Sequence, residues 1–337
     1  MSDFAQHGLI ATFQRLNTKH LGIIEQELIA LSEKRPIGLV LPCHERDLER
    51  PAFTRILRQI SRAEFLSEVV VSINGAEASK ADQERAFQRI FNEIPSLGLH
   101  FLWQRGMGGK GENAAAAIAD LTAAKHCRII AFQDCDVASF RRVDLARLCY
   151  PVAQPDLGYR VAKAYYSRVT DRLYGRVSRL FFTPLLQAIL RVAGHHPLVD
   201  FLLSFRYPLA GEIAIDAELA AELPPASGYA LELSQLCEIF RRVDPRQVCQ
   251  VDGGSGYDHR HQPADTALAG MAAQLADELF RQLALEGLTD LRMGIASAYR
   301  REAAHALHRS AALARLNALP FDSAAEASIV DIFAGRL

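Results

Sequence analysis

Two aspartates, Asp134 and Asp136, follow the apolar run CRIIAFQ (127–133). Carboxylates two residues apart at the end of a buried strand concentrate negative charge. Hard divalent cations such as Mg2+ or Mn2+ take oxygen ligands of this kind and usually share them with substrate phosphates. D-x-D pairs are also common as solvated loop acids, so the strand that presents this one carries much of the reading.

Four further groups have chemistry in reach. RGMGGKG (105–111) follows an apolar run and precedes an alanine-rich helical stretch. Gly106-x-Gly108-x-x-Gly111 matches a dinucleotide fingerprint. That fingerprint normally opens its domain and needs one acid beyond the next strand; here two βα units come first and two acids follow. Lys110 suits another role, as a cation reaching phosphates from a glycine loop lined by backbone N–H groups. It does not make a P-loop, because Gly111 follows it. Tyr257-Asp258-His259-Arg260-His261 is a polar loop after a strand, and a neutral imidazole there could complete a metal site begun by distant aspartates. Arg176 and Ser178 stand near a helix start, where arginine, hydroxyl and free amides suit a phosphate or carboxylate. Arg172, Arg176 and Arg179 would equally make a solvated helix face. Glu212 and Glu232 are acids in apolar surroundings, where burial favours pairing or function.

These groups need a scaffold. Short β-branched runs alternate with helical segments: IGLVL (37–41), a helix over 51–63, EVVVSI (68–73), a helix over 80–93, LHFLW (99–103), the ENAAAAIADLTAAK helix, then CRIIAFQ. That alternation predicts a mostly parallel sheet with helices on both faces. Ligands then bind beyond the carboxyl ends of the strands, in the loops that start at Pro42, Asn74, Arg105 and Asp134. The second half is less regular: a strand within 158–166, a helix over 172–193 interrupted near Pro184, a helix over 228–243, a strand at 246–252, and helices from Thr266 onward with a break near Leu319-Pro320. Before the core, Leu9, Ile10, Phe13 and Leu16, then Ile24, Leu28 and Leu31, recur at helical spacing.

Bulk composition narrows the classes. The 337 residues are half hydrophobic, enough for one large α/β domain. With 38 basic against 39 acidic residues, no basic footprint for nucleic acid is present. The six cysteines form no C-x-x-C pair and lie in apolar segments, as reduced, buried thiols of a cytoplasmic protein do. No signal peptide and no membrane span are legible.

In order and spacing, GLVLPCHERD, GKGEN, FQDCD, GRVSRLFFTPLL, YPLAGEIAI, LPPASGYALELSQL and DHRHQP resemble the glucosyl-3-phosphoglycerate synthase family, from about Ile37 to Pro263 and more weakly beyond. The resemblance implies a GT-A fold and a retaining, metal-assisted glucosyl transfer from a nucleotide sugar, UDP-glucose, to 3-phosphoglycerate. It implies that Pro42, Glu45 and Asn74 line the nucleotide, that Lys110 meets the donor diphosphate, and that Asp134 touches the nucleotide. Asp136 and His259 would hold Mg2+ or Mn2+, and Glu232 would hold sugar hydroxyls. Gly175, Arg176, Ser178 and His261 would receive the acceptor. Asp136, Glu232 and Lys110 form the implied catalytic set. The chain departs from the family pattern at His44, at SING (72–75), at Ser178 and at His261-Gln262. A relative specific for GDP-mannose or glycerate therefore stays open, as does an NAD-dependent oxidoreductase built on GMGGKG. The implied organisation is an N-terminal helical segment (1–35), a GT-A domain (36–265) with a nucleotide-binding half (36–150) and an acceptor-binding half (151–265), and a C-terminal helical extension (266–337). A homodimer is expected, with Leu279, Phe280 and Leu283 serving either the core or its interface.

Overall fold

The computed structural model describes residues 8–17, 21–75, 78–105, 110–123, 127–224, 228–255, 265–289 and 291–337. In chain order the elements are β1 (Ala11–Phe13), α1 (Leu21–Ser32), β2 (Ile37–His44), α2 (Pro51–Ile60), β3 (Leu66–Gly75), α3 (Lys80–Glu93), β4 (Gly98–Arg105), α4 (Lys110–Ala123), β5 (Ile129–Phe132) and α5 (Arg142–Ala153). They continue with β6 (Val161–Ser167), a π-helical turn (Val177–Phe182), α6 (Thr183–Ala193), α7 (Pro197–Ser204), β7 (Ile213–Asp216), α8 (Ala217–Glu222), α9 (Leu231–Arg242) and β8 (Val248–Ser255). Three helices close the chain: α10 (Asp265–Leu285), α11 (Arg292–Leu316) and α12 (Ser323–Ala334).

One sheet runs β1-β8-β6-β7-β5-β2-β3-β4. Every neighbouring pair is parallel except those of β7, which runs antiparallel to both β5 and β6. Successive residues of the central strands enter opposite cores, as a pleat with both faces covered requires. Val40, Val70 and Ile130 face the core of α4, α6, α7 and the C-terminal helices. Leu39, Leu41, Val69, Val71 and Ile129 face the core of α1, α2, α3 and α5. Leu279 and Leu283 are fully buried in the first core and Phe280 packs against it, so this part of the tail covers the domain it follows.

Two elements differ from the sequence reading. The stretch around Leu9–Leu16 was expected to be helical, but residues 11–13 form a strand on the free edge of β8. Tertiary pairing overrides the helical spacing there: Gln250 Nε2 donates to Thr12 Oγ1 at 2.9 Å, and Phe13 meets Tyr159 edge-on at 5.6 Å. The helix expected from 172 begins only at Val177, and its first turn is π-helical, with the Thr183 N–H bonded to the Ser178 carbonyl. Pro184 explains the widening, since its ring would clash with the carbonyl four residues back and it has no N–H to give. That carbonyl, of Leu180, accepts instead from Tyr299 Oη at 2.7 Å.

All six cysteines are buried and free. Burial pushes the Cys127 thiol up to about 11 and that of Cys237 up to about 12, and thiolate is the reactive form. At about pH 8 the native protein is therefore expected to resist Ellman's reagent, and to titrate fully once unfolded in guanidinium. Fast reaction of a native thiol would contradict this packing.

Candidate active site

The strand directions converge. β2, β3, β4, β5, β6 and β8 point the same way, so their carboxyl ends share one edge of the sheet, and antiparallel β7 starts at that edge. Chain order reverses between β2 and β5, which makes the crevice outside these two strands the topological switch point. The loop after β5 carries Asp134 and Asp136, and β2 ends at Pro42, Cys43 and His44. The glycine-rich loop instead follows β4, at the far edge of the sheet. A dinucleotide fingerprint belongs on the strand that opens the fold, at the switch point, so this position argues against the oxidoreductase reading.

Alternation arms the D-C-D segment. Cys135 turns inward, 4% exposed and packed against Cys43, while Asp134 and Asp136 stay half-exposed. The two carboxylates thus lie on the open side of a segment whose middle residue is anchored. Behind them Gln133 Nε2 bridges the Asp134 carbonyl (3.2 Å) and Glu212 Oε1 (3.3 Å). Glu212, only 2% exposed, also accepts from Tyr166 Oη at 2.8 Å. It enters where β7 begins, held by the PLAGE turn, whose Ala210 carbonyl accepts from the buried Lys163 Nζ at 2.5 Å.

The nucleotide-side candidates come together across β2 and β3. His44 pairs in register with Asn74 and Pro42 with Ser72. Glu45 folds over Gly75, where a Cβ would come within 2.8 Å of its own Cβ. Glycine at the end of SING is thus what lets Glu45 lie against β3. His44 Nδ1 accepts from the Arg46 N–H at 3.2 Å and closes the turn that carries Glu45. Lys110 opens α4; its side chain lies outside what the structure describes. The turn Gly228–Ala230 packs on α4 and leads Glu232 into the first turn of α9. Gly228 has φ +65°, and a Cβ there would lie 2.5 Å from Gln274 Oε1.

Among the residues expected to receive the acceptor, Gly175 (φ +71°) turns the chain into the π-helical segment, leaving the amides of Arg176, Val177 and Ser178 at a helix start. Arg176 is only partly solvated: its Nε bonds Glu326 Oε1 at 2.7 Å. Arg172, by contrast, is exposed and pairs with Asp171. A residue that the sequence reading passed over lies between this turn and the aspartates. Arg168, one residue beyond β6, donates to Tyr207 Oη at 3.4 Å, and Tyr207 also bonds Ser178 and stacks edge-on with Tyr166 at 5.1 Å. Burial opposes the Arg168 charge, but Tyr207, Tyr166 and Asp136 outweigh it and raise its pKa. The only sequence signal for this network was a run of polar residues, Tyr-Tyr-Ser-Arg, closing an apolar strand. His259 and His261 fall in 256–264, outside the described residues.

Among the described residues no cluster of three His, Cys, Asp or Glu side chains could enclose a metal. Asp134 and Asp136 instead make an open pair of hard oxygen donors at the switch point, a set that suits Mg2+ or Mn2+ shared with phosphates. No described helix is long and apolar enough to cross a membrane.

A largely parallel α/β sheet with a D-x-D at the switch point defines a GT-A glycosyltransferase. No protein-family model matches the chain. It is 31% identical to the glucosyl-3-phosphoglycerate synthase of Persephonella marina, across all of this chain and 89% of that protein. The chain belongs to the glucosyl-3-phosphoglycerate synthase family. Two solved structures of the Mycobacterium tuberculosis synthase are similar to it. One, in complex with Mg2+ and uridine diphosphate, has a TM-score of 0.62 at 25% identity and covers 81% of this chain and 86% of its own. The other, with Mn2+, uridine diphosphate and glucosyl-3-phosphoglycerate, has a TM-score of 0.61 at 26% identity and covers 81% and 87%.

Removing the Glu212 carboxylate would take a buried acceptor from Tyr166 Oη and from the Gln133 amide. Glu212→Ala is expected to cost about 3 kcal/mol in urea unfolding and Glu212→Gln about 1 kcal/mol. A loss below about 1 kcal/mol for the alanine variant would mean that the carboxylate does not hold this network.

Proposed function

We propose that the chain transfers glucose from UDP-glucose to 3-phosphoglycerate with retention at the anomeric carbon, assisted by Mg2+ or Mn2+. One observation carries the reading: the D-C-D pair, the end of β2 with Glu45, and the Gly175–Ser178 turn meet at one edge of the sheet, joined through Arg168 and Tyr207. Family membership supports it, as do the uridine diphosphate and glucosyl-3-phosphoglycerate bound by the mycobacterial relative.

In this reading Pro42, Glu45, Asn74 and Asp134 line the nucleotide. Asp136 and His259 hold the metal, which supplies positive charge against the leaving diphosphate. Lys110 adds a second cation on that side. Glu232 accepts hydrogen bonds from glucose hydroxyls and fixes the ring. Gly175, Arg176, Ser178 and His261 hold the phosphate and carboxylate of the acceptor, so that its hydroxyl sits beside the anomeric carbon. The bond from that carbon to the diphosphate oxygen breaks and a bond to the acceptor oxygen forms on the same face. The acceptor proton passes to the departing phosphate. The protein's contribution is positioning and charge, with no side-chain nucleophile.

Incubation with UDP-glucose, 3-phosphoglycerate and Mg2+ should yield UDP and glucosyl-3-phosphoglycerate. Asp136→Ala should cut turnover by about a hundredfold or more while keeping cooperative unfolding. Turnover only with GDP-mannose, or only with glycerate, would move the specificity to the alternative relatives. Wild-type activity in Asp136→Ala would remove the metal-site assignment.

A further inference from the structure

The acceptor turn is braced from the far end of the chain. α12 carries Glu326, 5% exposed, whose two carboxylate oxygens divide between two arginines. Oε1 accepts from Arg176 Nε at 2.7 Å, and Oε2 pairs with Arg179. Arg179 in turn holds the loop before Gly175, donating from Nε to the Tyr174 carbonyl at 3.1 Å and from Nη2 to the Leu173 carbonyl at 3.5 Å. The backbone N–H of Arg179 bonds the Gly175 carbonyl at 3.0 Å. One carboxylate therefore fixes both a side chain of the turn and, through Arg179, its backbone.

The surroundings make this a rigid mount. Phe181, inside the π-helical turn, lies between Phe333 of α12 (5.2 Å) and Tyr299 of α11 (5.8 Å), and Tyr299 also satisfies the Leu180 carbonyl. Burial and the nearby Arg176 push the Arg179 guanidinium below its ordinary pKa, and Glu326 opposes both. Arg176 engages Glu326 through Nε alone. Its two terminal nitrogens have no partner among the described residues, and the side chain is 34% exposed. A guanidinium gripped on one edge with the other edge open is arranged to meet an anion bidentately, with its rotamer fixed beforehand. Fixing that rotamer lowers the entropy lost when the anion binds.

We propose that Glu326 of the C-terminal helix α12 is a positioning residue for acceptor recognition, holding Arg176 and the Gly175 turn ready for the acceptor's phosphate or carboxylate. This rests on the assignment of Arg176 to the acceptor site. It gives the C-terminal extension a task in specificity as well as in covering the core.

The test compares Glu326→Gln, Glu326→Asp, Arg176→Ala and the double variant Arg176→Ala/Glu326→Gln, with Michaelis constants read separately for 3-phosphoglycerate and UDP-glucose. Melting temperatures confirm that each variant folds, and Glu326→Asp, which keeps the charge on a shorter arm, serves if Glu326→Gln does not. Glu326→Gln is expected to raise the acceptor KM about tenfold, to leave the donor KM within about twofold, and to cost less on top of Arg176→Ala than it does alone, because only its Arg179 arm then remains. Glu326→Asp should fall between wild type and Glu326→Gln. An acceptor KM unchanged in the Glu326 variants while Arg176→Ala raises it, equal rises in both KM values, or losses that multiply in the double variant would overturn the role of Glu326. An unchanged acceptor KM in Arg176→Ala would remove the acceptor-site assignment, and this inference with it.

Discussion

Like charges do not gather at the end of a buried strand without compensation, and the architecture of this protein is organised around that constraint. Asp134 and Asp136 close the central strand of the sheet, with Glu212 a few ångströms behind them through Gln133. The deepest carboxylate accepts hydrogen bonds from Tyr166 and Gln133. Asp136 lies close enough to Arg168 to favour its charge, after Tyr207 and Tyr166, and Tyr207 ties that arginine to Ser178. The two half-exposed aspartates nonetheless keep their outward side, and in a site that handles diphosphates that side suits a divalent cation.

The same logic recurs with the sign reversed some distance away. Arg176 and Arg179 lie three residues apart on one turn, and Glu326 sits between them from a helix 150 residues later in sequence. The carboxylate and guanidinium clusters are not independent. The turn that carries the arginines bonds through Ser178 and Tyr207 to Arg168, whose charge Asp136 favours.

What was legible in the sequence was local. Strands rich in valine and isoleucine and bounded by glycine or proline pointed to the parallel sheet, and the position of D-C-D after CRIIAF put the two acids at a strand's carboxyl end; that this end is the switch point follows only from the strand order. The motifs of the family resemblance marked Pro42, Glu45, Asn74 and Asp134, and the fold brings these to one end of the sheet. Elements fixed by distant partners were not legible. Residues 11–13 follow helical spacing but are claimed by the edge of β8, and the π-helical turn before Pro184 depends on Tyr299 of α11 to satisfy a freed carbonyl. Arg168 carries no motif of its own, and Glu326 meets its arginines only through the packing of the tail. Glu212 stood out as an acid in an apolar run, yet its partners Tyr166 and Gln133 come from two other strand ends.

The central claim is that the switch-point aspartates bind a nucleotide sugar together with a divalent cation, and ligand-induced thermal stabilisation tests it directly. A ligand that binds only the folded state raises its stability by mass action, by about 2.7 kcal/mol at a hundred times its dissociation constant. UDP-glucose with Mg2+ or Mn2+ is predicted to raise the melting temperature by a few degrees, and EDTA to abolish the rise. A shift with NAD or NADP that ignores metal, with none from any nucleotide sugar, would contradict the account and return the glycine-rich loop after β4 to the centre of the function.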